Sequence, residues 1–475
     1  MLGLWGVERG GSMWRDEAVT VAVAGRPLPE TWALLQQIDA VHGLYYLLAH
    51  GWFALFGDGL WALRVPSVLA TAVAAAGVAA LGRRLWNARA GLLAGLAYPL
   101  LPPVLHHAQE GRSYAMVAAA LVWATWTLVR AVERPGAAGR WGGYAALALL
   151  ACWLNLFAGF ALLAHGVALW RAGADHRVWR PWLTACGAVG LGVLPLALMC
   201  TGQAEGQLGW LSRPGAGEWA AFLAVTAAGW VLARYTAGGG PTDGARLTRG
   251  RLAGGGLAGG GLALALLAVP PGTLLLLSMA HPYYVDRYVL YAFAGLALLL
   301  GAAADRALDH RPARARRGAV LAVAAAVLAG LLLPWPLDLR GPQSRKDDAL
   351  AVAAAVRELA APGDAVLFTP ARRRDWLLHD RATYRSLDDV ALARSPEDSG
   401  TLRGVEHPAA ELPRRVRAAH RVVVLADPPD QPLDDTADEV AKRDVLARHF
   451  RPCREIHVHG ARVTLWSSVG CPRRR

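Results

Sequence analysis

The sequence predicts a polytopic α-helical membrane protein of about ten spans, with a small α/β domain at its C-terminal end on the outer face. Three observations predict it. Hydrophobic residues make up 55% of the 475-residue chain and the mean hydropathy is +0.29, too apolar for an ordinary soluble enzyme. Apolar segments recur at regular spacing from Val65 to Leu333. The arginines between those segments fall almost entirely into alternate loops.

Residues 1–11 lack a basic stretch followed by an apolar core, so no cleavable leader is expected, and the segment is too short to span. Ser12-Met13-Trp14-Arg15-Asp16-Glu17-Ala18 then sets an acidic pair beside an arginine, in a stretch without helical patterning. Leu28–Asp39 has a helical pattern too polar to cross a bilayer. An apolar run follows from His42-Gly43-Leu44-Tyr45-Tyr46 to Phe56. It is shorter than the roughly 20 residues of a perpendicular span, which predicts an interfacial or half-inserted helix.

Spans are expected near Val65–Leu81, Gly91–Leu105, Tyr114–Val129, Tyr144–Trp153 and Phe157–Leu169. Others follow near Trp182–Met199, Trp219–Leu232, Leu257–Ser278, Val289–Ala303 and Val320–Leu333. Several hold Pro or Gly, which a bundle tolerates because neighbours satisfy the freed backbone groups. The pair flanking Asn155 could instead form one long helix. Charge orients the set. One group of loops holds eighteen arginines: Arg83, Arg84, Arg89, Arg130, Arg134, Arg140, Arg171, Arg177, Arg180, Arg234, Arg246, Arg249, Arg251, Arg306, Arg311, Arg314, Arg316 and Arg317. The other group holds four, Arg64, Arg112, Arg213 and Arg287. The positive-inside rule makes the first group cytoplasmic. The Asp16 segment, His42, the Glu110–Arg112 loop, the Thr201–Gly217 loop, the His281–Arg287 loop and everything after Leu337 then share the outer face of the plasma membrane, where a site is expected.

From Asp338 the composition changes, with shorter apolar runs and more charge. A helix over Asp347–Ala360, a turn at Pro362-Gly363-Asp364 and a strand over Ala365–Thr369 are expected. A strand over Arg421–Ala426, a helix over Glu439–Phe450 and a hairpin of Ile456–Val458 with Val463–Trp466 complete an α/β domain. The predicted organisation is a membrane-embedded catalytic domain over residues 1–337 and an extracytoplasmic domain over residues 338–475. No Gly-rich phosphate loop follows a strand, so no nucleotide site is assigned. Cys152, Cys186 and Cys200 lie in apolar runs and read as small core residues. Cys453 and Cys471 flank the hairpin and could pair in an oxidising compartment. The net charge of +13 is carried by arginine, with Lys346 and Lys442 the only lysines. It says little about nucleic acid, and the placement of the arginines matters more; no nucleic-acid partner is expected.

Taken alone, Asp16 and Glu17 could simply cap a helix. In Gln109-Glu110-Gly111-Arg112-Ser113-Tyr114, Ser113 could cap the next span, while the forked, permanently charged guanidinium of Arg112 suits a phosphate. Tyr283 and Tyr291 read as interfacial belt residues, whereas Arg287 either snorkels outward or binds an anion. His42 reads most simply as a capping or packing residue. His106 and His107 have no partner at metal-ligand spacing, so no metal is assigned, though a divalent ion is not excluded. No serine-hydrolase elbow, Walker loop or HExxH is present.

As an ordered set these motifs resemble the GT-C membrane glycosyltransferases, specifically family 39, the protein mannosyltransferase and aminoarabinose transferase group. Trp14-Arg15-Asp16-Glu17-Ala18 looks like that group's acidic first-loop motif. His42-Gly43-Leu44-Tyr45-Tyr46-Leu47-Leu48 resembles its HPPLYY helix, with Gly43 and Leu44 where the prolines stand. Phe56-Gly57 followed by Ala62-Leu63-Arg64-Val65-Pro66-Ser67 is similar to its entry into the next span. Gln109 to Ala115 resembles its QEARPYA segment, and Arg287-Tyr288 its late RY. The resemblance runs from about Gly11 to Leu337. In that group a full span precedes the acidic motif, and residues 1–11 offer only a stub of one.

The resemblance implies transfer of a sugar, mannose or similar, from a polyprenyl-phosphate donor to a protein, glycan or lipid acceptor, with inversion. No cofactor is implied, because the lipid-linked sugar is itself a substrate. It implies Asp16 as catalytic base and Glu17 as its helper. Substrate-binding roles are expected for Arg15, His42, Tyr45, Glu110, Arg112, Tyr114, Arg287 and Tyr288. The chemistry agrees. An attacking hydroxyl needs a carboxylate to take its proton, and the leaving phosphate needs positive charge in a partly dry cavity. Two other classes are open to such a chain. A transporter or flippase of lipid-linked sugars would show internal repeats and polar residues along its spans, and neither is visible. The remaining alternative is a structural partner in cell-envelope assembly.

Overall fold

The computed structural model describes residues 3–203, 211–237, 257–309 and 337–471. The chain forms two compact units, one of Met1–Trp5, Asp39–Tyr45 and Arg64–Pro336, the other of Gly6–Ile38, Tyr46–Leu63 and Leu337–Arg475.

The first unit is helical. Among the described residues, Leu60–Leu85, Tyr114–Glu133, His176–Thr201, Ala216–Ala237, Gly259–Ala280 and Asp286–Leu308 are each long and apolar enough to cross a membrane. A further pair, Ala88–Leu100 and Pro102–Ala108, bends by 64°. The cause is local: Leu101 precedes a proline, which pushes it out of the helical region to φ −64°, ψ 128°. The segments around Asn155 are two helices, Ala138–Leu154 and Phe160–Arg171, not one. Asn155 is extended at φ −166°, ψ 118°, and its side-chain oxygen accepts the Phe157 N–H at 2.9 Å. All nine expected spans from Val65 to Ala303 fall on helices. The tenth, Val320–Leu333, lies outside the described residues, as do Arg246, Arg249, Arg251, Arg311, Arg314, Arg316 and Arg317. The apolar run after His42 is the short helix Gly43–Phe56, of 14 residues, which from Tyr46 onward belongs to the second unit.

Small residues let these helices approach. A Cβ added at Gly301 would lie 2.5 Å from both the Cβ and the backbone nitrogen of Ala94. One added at Gly91 would strike the backbone of Ala79 and Arg83. Without water to drive helices together inside a bilayer, such close backbone packing supplies the attraction.

The second unit is built on a five-stranded mixed sheet. Its strands are β1 (Ala365–Thr369), β2 (Asp388–Asp389), β5 (Arg421–Ala426), β6 (Arg451–Val458) and β7 (Ala461–Ser467), in the order β2-β1-β5-β7-β6. β3 (Leu392–Arg394) and β4 (Val405–Glu406) form a separate small ladder. β1 runs parallel to β2 and β5, while β7 is antiparallel to β5 and β6. Side chains alternate between two cores. Val366, Phe368, Val423 and Leu425 join Val352 and Val356 of the helix Ala349–Leu359. Leu367, Val422 and Val424 meet Leu412, Val416, Val445 and Leu446 on the opposite face. The four expected strand segments and both helices are present, and Cys453 and Cys471 are disulfide-bonded. This unit is larger than residues 338–475. Met13, Ala18 and Val21 are buried in the first of its cores, so the acidic-pair segment is part of the α/β body.

Candidate functional site

The acidic pair lies on a helix, Arg15–Ala24, where the sequence showed no helical pattern. The reason is that Glu17 through Ala24 are all buried, so no polar stripe marks the period. Trp14 is extended at the N-cap and makes no side-chain cap bond. Arg15, Asp16 and Glu17 therefore occupy the first turn, where carboxylates face the free backbone N–H groups and the positive end of the helix dipole.

The two carboxylates differ in their surroundings. Glu17 is ion-paired to Arg9, and neither side chain has exposed surface. The Asp16 side chain keeps 15% of its surface and lies 3.8 Å from Arg15 Nε. The backbone just before it is held at two residues, Met13 and Arg15. Met13 N–H donates to Asp348 Oδ1 at 3.1 Å, and Arg15 N–H donates to Asp347 Oδ1 at 2.7 Å. Met13 O accepts the Ala349 N–H at 2.6 Å. Asp347 is itself fixed, because its second oxygen accepts Trp376 Nε1–H at 3.1 Å. Asp16 thus sits in a strapped segment with its neighbour's charge already committed.

A second cluster forms in the helical unit. Arg287 Nε donates to Tyr114 Oη at 3.0 Å, and its guanidinium stands 5.7 Å from the Tyr114 ring and 5.8 Å from the Tyr288 ring. Tyr288 stacks on Phe157 at 5.2 Å. Tyr114 also meets His107 edge-on at 5.7 Å, and His107 Nδ1 is hydrogen-bonded to Glu110. Ser67 Oγ is within bonding distance of two carbonyls of the loop, donating at 2.6 Å to Glu110 O and lying 3.1 Å from Arg112 O. The loop is pinned further by Gln109, whose amide donates to Gly3 O and Trp5 O at 2.8 Å each. His42 is buried, and burial together with the charges of Arg112 and Arg287 holds its pKa well below the ordinary histidine value. His42 is therefore neutral near pH 7 and can serve as a hydrogen-bonding group but not as a cation.

Of the residues singled out in the sequence, His42, Glu110, Arg112, Tyr114, Arg287 and Tyr288 come together in this unit. Tyr45 is buried there at 3% exposure. Arg15, Asp16 and Glu17 belong to the other unit. A trio with metal-ligand chemistry, not expected from the sequence, lies in this unit. His106, His107 and Glu110 bring one ligand atom each within 4.8 Å of one another, a set able to hold a divalent cation. The signal was present as the three-residue interval from His107 to Glu110 at a helix end. Arg9, Asp347 and Asp348 were missed as well. The two aspartates carried a readable sign, standing just before a helix; Arg9 carried none.

A family model described as dolichyl-phosphate-mannose-protein mannosyltransferase matches residues 43–199. No curated protein sequence matches the chain. Among solved structures, the chain is similar to ArnT from Cupriavidus metallidurans in the apo state, at 14% identity and a TM-score of 0.61, covering 100% of this chain and 97% of that one. The same protein bound to undecaprenyl phosphate gives 14% identity and a TM-score of 0.62, over 98% and 96% of the two chains. The archaeal oligosaccharyltransferase AglB from Archaeoglobus fulgidus, in complex with an inhibitory peptide and a dolichol-phosphate, gives 12% identity and a TM-score of 0.47 over 90% and 68%. The likeness to ArnT extends over both units, and the long apolar helices make this a multi-pass membrane protein.

Proposed function

We propose that this chain, a polytopic membrane protein with the GT-C glycosyltransferase fold, is an inverting glycosyltransferase. It takes a sugar, mannose or a close relative, from a polyprenyl-phosphate donor and places it on an acceptor hydroxyl. The reaction takes place at the outer face of the plasma membrane, with about ten spans below it and residues 338–475 outside. The observation that carries the reading is the Arg287–Tyr114 contact beside Glu110 and Tyr288, within a chain that has this fold.

Each role follows from chemistry. The acceptor oxygen bonds to the anomeric carbon as its proton passes to the Asp16 carboxylate. The bond from the anomeric carbon to the phosphate oxygen breaks, and the polyprenyl phosphate departs with the electron pair. Arg112 and Arg287 stabilise the charge growing on that phosphate, Arg287 with its side chain already oriented by Tyr114. Glu17 helps by holding Arg9, which fixes the segment that presents Asp16. The acceptor is a protein, glycan or lipid hydroxyl.

The test is transfer from a labelled polyprenyl-phosphate sugar in membranes containing the protein. Asp16→Asn is expected to abolish transfer with protein levels unchanged. Full transfer by that variant would overturn the base assignment, and no transfer by the wild type from any polyprenyl-phosphate sugar would overturn the reaction class.

A further inference from the structure

The α/β unit contains a cavity of about 670 Å³, a volume in the range of small-molecule sites. Residues just after the helix Arg15–Ala24 line one part of it, among them Arg26 and Glu30. Its other charged lining residues are Arg381, Arg385, Asp388, Asp389 and Glu397.

Arg26 is the unusual member. It is 3% exposed, yet its guanidinium makes only two hydrogen bonds, both at 3.5 Å, to the carbonyls of Thr401 and Leu402. Burial holds its pKa below the ordinary arginine value; Glu397 and Glu30 act against that shift and Arg381 with it. None of these charges comes within ion-pair distance of another. Among the described residues, Arg26, Arg381 and Arg385 have no carboxylate partner, and Glu30, Asp388 and Glu397 have no cationic one. A further lining charge, Asp389, is paired with Arg374, which also holds Glu406, and away from the cavity Lys442 holds Glu406 and Glu439. Arg26 is buried, Glu30 and Arg381 are half-buried, and Arg385, Asp388 and Glu397 are exposed. Charges of both signs thus rim one space around a buried guanidinium and leave room for a ligand that bonds to both.

The balance of charge selects the ligand class. A multivalent anion drawn to the arginines would meet Glu30, Asp388 and Glu397, and a cation drawn to those carboxylates would meet the arginines. A hydroxyl group donates to a carboxylate and accepts from a guanidinium, so a neutral polyol satisfies both sets. The remaining lining suits such a ligand as well. Leu378, Leu387, Leu392, Pro27 and Pro396 offer apolar surface for C–H faces. Tyr384 joins them, with its ring fixed by the hydrogen bond from its Oη to Asp389 at 2.7 Å.

We propose that this cavity binds a neutral glycan segment, with Arg26, Arg381, Glu30 and Glu397 as its hydrogen-bonding residues. Calling that glycan the acceptor rests on the transferase reading; the binding itself does not. The experiment is saturation-transfer NMR and calorimetric titration of the full chain in nanodiscs with neutral tetrasaccharides of mannose, glucose and galactose. Wild type is expected to bind at least one of them. Glu397→Gln at an exposed position and Arg381→Gln at a half-buried one spare the core, and each is expected to weaken that binding tenfold or more. Arg26→Gln should do so too if it folds. Asp16→Asn is expected to bind as wild type does while transferring nothing, which separates the site from the reaction. Absence of binding to the whole panel would overturn the proposal, whatever the transfer assay gives. So would binding indifferent to both surface substitutions, or tighter binding of phosphorylated tetrasaccharides than of neutral ones.

Discussion

Arg9 and Glu17 form an ion pair in which neither side chain has any exposed surface. Such a pair adds little net stability, because both ions lose their water, but breaking one side strands a buried charge. Glu17→Gln is expected to destabilise the whole chain by about 3–5 kcal/mol, read as thermal unfolding in detergent. The double variant Arg9→Met/Glu17→Leu removes both charges and is expected to return close to wild-type stability. Transfer activity then decides what Glu17 does. If it acts only by holding Arg9, the double variant keeps most of the activity; a dead but stable double variant would show that the carboxylate itself is needed.

Asp348 joins two elements. It caps the helix Ala349–Leu359 by accepting the N–H groups of Leu350 and Ala351 at 3.1 and 3.3 Å, and it also accepts Met13 N–H. Asp348→Ala is expected to cost about 1 kcal/mol as a lost cap. It also frees one strap beside Asp16, so tryptic cleavage after Arg15 in the folded protein should speed up and transfer should fall more than stability does. Asp348→Asn keeps an acceptor oxygen and should behave nearly as wild type. Equal cleavage rates in Ala and Asn variants would refute the strap.

Much of this was legible from residue order alone. The apolar helices were readable because a bilayer demands long apolar runs. Among the described residues six of the nine segments expected from Val65 to Ala303, seven with the bent pair, lie on helices long and apolar enough to cross. The two flanking Asn155 lie on helices of 17 and 12 residues. Asn155 left one helix or two undecided, since hydropathy does not register a single extended residue; the side-chain bond to Phe157 N–H is what divides them. Arg112, Tyr114, Arg287 and Tyr288 were singled out because charge and aromatics stood together at span ends, and contact between Tyr114 and Arg287 bears on 173 residues of separation that no local pattern encodes. The helix under Asp16 was hidden for the opposite reason. A segment buried on every side has no periodic polar face, so its membership of the α/β unit became visible only through Met13, Ala18 and Val21 in that core.

Arg287 engages Tyr114 through Nε, and its guanidinium carries two further nitrogens that donate. Lysine keeps the charge but has neither the fork nor the Nε–H, so Arg287→Lys is expected to weaken donor binding about tenfold. The measurement is the KM for the polyprenyl-phosphate sugar. Tyr114→Phe removes the acceptor oxygen and keeps the ring face that lies 5.7 Å from the guanidinium, and should cost less. An Arg287→Lys variant with unchanged KM would remove Arg287 from phosphate binding.

His379, in the α/β unit, has its pKa lowered to about 4, chiefly by burial; Asp380 works against the shift and Arg357 adds to it. The unfolded chain takes up a proton near the ordinary value of about 6.5, while the folded chain resists until about 4. Over that interval the unfolded state binds more protons, so stability rises with pH. The contribution is complete above about 6.5 and is lost as the pH falls through about 4. His379→Leu eliminates this titration and keeps an apolar side chain in the same space. Thermal unfolding of the full chain between pH 7 and pH 4 is expected to fall more steeply for wild type than for the variant. The carboxylates shared by both proteins cancel in that comparison, so parallel curves would mean that His379 is protonated in the folded protein as readily as in the unfolded one.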